Sequence, residues 1–175
     1  MEVRSANNGQ VLWSAELSAI PNCLAIHPSR PWLAIGTKED LVVHAFLEDR
    51  LLARRKQSED CGYVAWSPGG DTLAHSGFGY ALELWEAERA ANSGQATEHT
   101  RAPGLGGGRA GPCFSLDGMW LANSDEQGML TVRHGSSIRP LAEELNGYPV
   151  TFSPDGKRLF CRQGAAGANA FELSP

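Results

Sequence analysis

The chain has 175 residues, 15 Lys+Arg against 20 Asp+Glu for a net charge of −5, and is 42% hydrophobic and 20% charged. That composition excludes a disordered chain and fits one globular domain, which at this size buries roughly 70% of its unfolded surface. The acidic balance argues against a nucleic-acid partner, since the densest basic cluster, Arg54-Arg55-Lys56, is too short to follow a phosphate backbone.

No run approaches the roughly 18 apolar residues of a membrane span. The opening Met1-Glu2-Val3-Arg4-Ser5-Ala6-Asn7-Asn8 lacks the apolar core of a signal peptide, so no membrane contact and a cytoplasmic location are expected. Cys23, Cys61, Cys113 and Cys161 lie far apart with no C-x-x-C pair and read as buried thiols in a reducing compartment.

Taken in chain order, residues 1–7 form a first short strand and Val11–Leu17 a second. Then Cys23–Gly36 reads as an apolar strand, a tight polar corner and another apolar strand. The same unit returns at Tyr63–Ser76, Pro112–Ser124 and Pro149–Cys161. Its corner residues Pro28, Pro68, Leu116 and Pro154 are 40, 48 and 38 positions apart. In Ser153-Pro154-Asp155-Gly156, proline presets φ at the second turn position and glycine takes the position where φ turns positive. Ser115-Leu116-Asp117-Gly118 keeps the Asp-Gly half, Ser67-Pro68-Gly69-Gly70 keeps Pro and Gly, and His27-Pro28-Ser29-Arg30 departs furthest.

About ten residues after each corner comes an alternating run: Leu41–Phe46, Ala81–Trp85, Met129–Arg133 and Ala168–Leu173. A fourth element is expected ahead of each corner unit, at Val11–Leu17, Leu51–Lys56, Gln95–Thr100 and Ile138–Glu143. No segment has a helical period beyond about two turns; Leu141–Leu145 is too short to stand alone. Four short strands recurring every forty-odd residues is the period of a propeller blade.

The strand, Ser-Pro-Asp-Gly corner and following strand resemble WD-repeat blades over nearly the whole chain. The family's Trp-Asp pair survives as Trp85-Glu86, with His44, Arg133 and Phe171 at the corresponding places, and no Gly-His dipeptide opens a blade. The resemblance implies an all-β propeller segment of about four four-stranded antiparallel blades, at about 11–48, 51–87, 94–134 and 138–173, with residues 1–7 as a leftover outer strand. Five outer strands against four inner sets imply an open arc, partnered by a second copy or by the rest of a larger ring.

The function implied is a non-enzymatic protein–protein interaction scaffold without a cofactor or metal. Loops on a rigid scaffold concentrate recognition residues, so the corner-bearing face is the expected binding face, with Arg30, Trp32, Asp71, Met119, Trp120 and Lys157 as candidates. The alternatives are a metal-dependent, lactonase-like propeller enzyme, or a fragment of a larger propeller with no independent role. The enzyme reading would use Glu16, Glu98, His99, Glu143 and Glu144 on innermost strands, but no spacing links them. The formal G-x-G-x-x-G at Gly106–Gly111 runs into Pro112 and a strand where a dinucleotide site needs a helix, and reads as a loop. His27 reads as a turn residue, His75 as a packed strand residue, and the tryptophans as core, with a binding cage as the lesser reading.

Overall fold

The computed structural model describes residues 1–56, 60–77, 80–93, 99–101, 110–124, 128–134, 145–163 and 167–173. Short strands in small antiparallel sheets dominate it. A two-stranded hairpin, β1 (Glu2–Arg4) and β2 (Val11–Ser14), comes first. Sheet one then runs β3 (Pro21–Ile26), β4 (Trp32–Thr37), β5 (Asp40–Ala45) and β6 (Arg50–Lys56) in sequence order. Sheet two holds β7 (Cys61–Trp66), β8 (Thr72–Gly77), β9 (Tyr80–Glu86) and β10 (His99–Arg101). Sheet three holds β11 (Cys113–Phe114), β12 (Trp120–Ser124), β13 (Met129–His134) and β14 (Leu145–Asn146), and sheet four β15 (Tyr148–Phe152), β16 (Arg158–Gln163) and β17 (Gly167–Glu172).

Two expectations change. The fourth element belongs to the sheet behind it: β6 pairs with β5 along its length and β10 pairs with β9. The sheets therefore span 21–56, 61–101, 113–146 and 148–172 and do not divide at the expected 11–48, 51–87, 94–134 and 138–173. The N-terminal strand pairs with β2, so neither joins a four-stranded sheet. The reason is local. A short reversal after β5 lets the chain return antiparallel on the same sheet at once. Period alone cannot tell which neighbour claims a strand lying between two hairpins. A seven-residue helix, α1 (Ala87–Ser93), follows β9, largely between the expected bounds 51–87 and 94–134.

Side-chain alternation explains the stacking. In β4 every residue is buried, because Trp32 and Ala34 face sheet two while Leu33 and Ile35 face the β1–β2 hairpin. In β12, likewise wholly buried, Leu121 faces sheet two, and Trp120 and Ala122 face sheet four. Sheets one and two share the largest core, around Leu41, Leu73 and Trp85. Sheets two and three meet at Ala74, Leu82 and Leu121, and sheets three and four at Val132, Phe152 and Leu159. In β16 only Leu159 and Cys161 are buried, the pattern of a strand with one covered face.

Candidate functional site

Each later corner is built by one device. Gly70, Gly118 and Gly156 each donate their amide to the carbonyl of Ser67, Ser115 and Ser153 at 2.9 Å, closing a four-residue turn. The serine hydroxyl then donates to an aspartate, Asp71, Asp117 or Asp155, at 2.6 Å. The same hydroxyl accepts the amide of Thr72, Trp120 or Arg158, the first residue of the next strand. In the second corner the aspartate comes two positions later than in the others, yet makes the same bond. Asp71 thus holds its turn together as well as standing exposed on it.

The first corner solves the problem with an imidazole. His27 Nδ1 accepts the amides of Ser29 and Arg30 at 3.1 and 3.0 Å, and Nε2 donates to the Gly70 carbonyl at 2.9 Å. That last bond ties the first corner to the second. The second touches the third, where a Cβ at Gly118 would sit 3.6 Å from Pro68, and the third touches the fourth, where one at Gly156 would sit 3.0 Å from Asp117. The four corners therefore stand in file along one edge of the stacked sheets.

Beside that file lies a groove of about 650 Å³, lined among others by Trp66, Pro112, Phe114, Leu116, Val150 and Phe152. Its floor is apolar and proline-rich, and Leu116 and Val150 stand 71% and 61% exposed. The adjoining corners carry Asp117 and Asp155. The serine hydroxyls first, then the Met119 and Lys157 amides, hold both carboxyl groups below their usual range. The groove thus has an apolar floor and a rim that stays anionic at neutral pH.

Of the candidates drawn from sequence, Arg30, Asp71, Met119 and Lys157 are exposed along the corner file. Trp32 and Trp120 are not available to a partner. They are 8% and 5% exposed, packed in inter-sheet cores, with the Arg30 guanidinium lying 4.6 Å over the Trp32 ring. The first residue of the strand after each corner faces the neighbouring sheet, so bulk there fills core. Leu116 and Val150 were missed. An apolar residue at the second position of a Ser-x-Asp-Gly turn, where proline is usual, was the available signal for Leu116.

Of the residues considered for metal chemistry, Glu16 is exposed on the segment joining β2 to β3. Glu98, Glu143 and Glu144 lie outside the described residues, as do the His99 side chain and most of the glycine-rich 103–111 loop. Among the described residues no three His, Cys, Asp or Glu side chains gather as a metal ligand set, and no helix is long and apolar enough to cross a membrane.

No family model matches the sequence, and no curated protein matches it. Solved structures do resemble it in fold. The computationally designed Ika4 protein superposes with a TM-score of 0.75 at 12% identity, over 95% of this chain and 99% of that one. Kuenenia stuttgartiensis hydrazine synthase superposes with a TM-score of 0.70 at 16% identity, over 90% of this chain. The chain spans 47% of that hydrazine synthase chain. At these identities the likeness is one of all-β architecture.

Proposed function

We propose that this chain is a β-propeller segment of the WD-repeat type and a non-enzymatic protein-recognition module. Its groove takes an extended apolar stretch of a partner protein that carries basic side chains alongside. The observation that carries the reading is the pairing of an apolar floor, with Leu116 and Val150 held out of the core, and a rim of ionised Asp117 and Asp155. Large apolar side chains fixed on a rigid rim supply binding energy, and flanking carboxylates set orientation and partner choice. The propeller assignment is supported by the sequential stacking of short sheets and by the recurring corner.

A display library of roughly ten-residue peptides, panned on the full chain, tests the reading. Enriched peptides should combine apolar residues with Lys or Arg, and their affinity should fall at least about tenfold, about 1.4 kcal/mol, on Leu116→Asp or Val150→Asp. Asp117→Asn and Asp155→Asn should weaken binding less and flatten its salt dependence. Leu47→Asp, at an exposed leucine away from the groove, should leave peptide binding unchanged. If no peptides are enriched, or binders ignore the groove substitutions, the proposal fails.

A further inference from the structure

Two of the four thiols meet where sheets one and two pack. Cys23 on β3 and Cys61 on β7 bring their sulfurs to 3.8 Å, and the Cys23 thiol donates to the Cys61 carbonyl at 3.3 Å. The space they share is provided by Gly36 on β4, where a Cβ would stand 2.4 Å from the Cys23 sulfur and 2.7 Å from that of Cys61. At the matching strand position the other sheets carry Ser76, Ser124 and Arg162, so the vacancy occurs only where two sulfurs fill it. Cys61 is fully buried, while Cys23 is partly exposed. Cys23 is thus the more exposed residue of the pair, and Cys61 the one enclosed by the core.

We propose that Cys23 and Cys61 form a dithiol site that low-molecular-weight disulfides, such as oxidised glutathione, convert to a disulfide bolting sheet one to sheet two. The Cys23 sulfur attacks the small disulfide, forming a mixed disulfide and releasing one small thiol, which carries off the Cys23 proton. The Cys61 sulfur then attacks the Cys23 sulfur, the second small thiol leaves with the Cys61 proton, and the protein disulfide remains. Two protein thiols are oxidised and one small disulfide is reduced to two thiols. The sulfurs start 3.8 Å apart and close to a bond of about 2.05 Å. The hydrogen bond to Cys61, and burial after it, push the Cys23 thiol upward from its ordinary value, so attack is slow at neutral pH and quickens as the pH rises. The inference does not depend on the groove reading.

The full reduced chain is incubated with excess oxidised glutathione, and its peptides are then mapped without reduction. The expected product is a peptide pair joined through Cys23 and Cys61, lighter by two hydrogens and retaining no glutathione. It should melt roughly 5–10 °C higher than the reduced chain, the effect of closing a loop of this length. Cys61→Ser, which removes only the resolving sulfur, should instead keep glutathione on Cys23. Two thiols that stay reduced, glutathione that persists on Cys23 in the unsubstituted chain, or cross-links running to Cys113 or Cys161 would each overturn the proposal.

Discussion

His27 has its two ring nitrogens committed to opposite roles: Nε2 must carry a proton to reach the Gly70 carbonyl, and Nδ1 must lack one to accept two amides. Burial, the main cause, and the nearby Arg30 charge lower its pKa from 6.5, although the Gly70 carbonyl pulls the other way. The unfolded chain takes up this proton near the ordinary value, and the folded chain does so only at lower pH. Stability tied to the first corner is therefore complete above about pH 6.5 and drains as the pH falls through the folded value. Urea midpoints measured between pH 7.5 and 5 should fall, and His27→Gln should flatten that part of the curve. Gly70 is the partner residue. Its φ is +78°, and a Cβ there would lie 2.2 Å from the His27 ring. Gly70→Ala should cost about 2–4 kcal/mol by denaturant titration, strain adding to a steric clash. Gly118→Ala, with a similar φ but only Pro68 at 3.6 Å, should cost about 1 kcal/mol.

At the scale of the strand, what matters is whether a residue faces the sheet before it or the sheet after it. On β13, Thr131 and Arg133 turn toward sheet two, and Leu130 and Val132 toward sheet four. Arg133 stands where sheet two has Trp85, opposite Leu121 in register, and is 3% exposed. Its Nε has no hydrogen-bond partner among the described residues, and burial lowers its pKa. A buried guanidinium with no carboxylate paired to it among the described residues is a cost that an apolar side chain of similar length avoids. Arg133→Met should raise stability by about 1–3 kcal/mol in thermal or urea unfolding, and an unchanged or lower midpoint would count against this account. The same alternation separates interior from terminal sheets. Ala34, Ala74 and Ala122 are wholly buried between sheets, and at the matching place β16 carries Phe160, 41% exposed, with Arg158 and Arg162 on the same exposed face.

The whole molecule has two unlike ends. On β7 and β15 the residue before the corner, Trp66 or Phe152, is buried against the preceding sheet, and Phe114 on β11 packs in the same way. On β3 that residue is Ile26, which stands 62% exposed beside Leu24 at 50%. The β1–β2 hairpin covers the outer part of this face, around Leu33, Ile35 and Phe46, and leaves the inner part bare. Bare apolar strand faces favour association, so sedimentation should find the chain assembled with further copies, and Ile26→Lys should shift it to a folded monomer. A cooperative monomer in the unsubstituted chain would oppose the open-arc reading. The far end, where arginines replace interior alanine neighbours, is polarised like the outer face of a capping repeat.

How much of this was legible beforehand follows from the range of each interaction. Strand, corner and strand could be read from residues 23–36, 63–76, 112–124 and 149–161, because turn chemistry and period-two alternation act over a few residues. The same repetition pointed to packed tryptophans, but Trp32 and Trp120 were also expected on the binding face, and only the stacked sheets show them in core. Which sheet claims β6, which side of β12 faces which neighbour, and whether Leu116 ends in core or on a rim depend on residues some forty positions away, so only the stacked sheets decide them. The meeting of Cys23 and Cys61 around Gly36 belongs to that second kind: three residues on three strands share one space because two sheets pack there. Sequence by itself determined the local hairpins. Tertiary contact decided which of their side chains face one another, since burial is settled by neighbours the chain reaches only after it has folded.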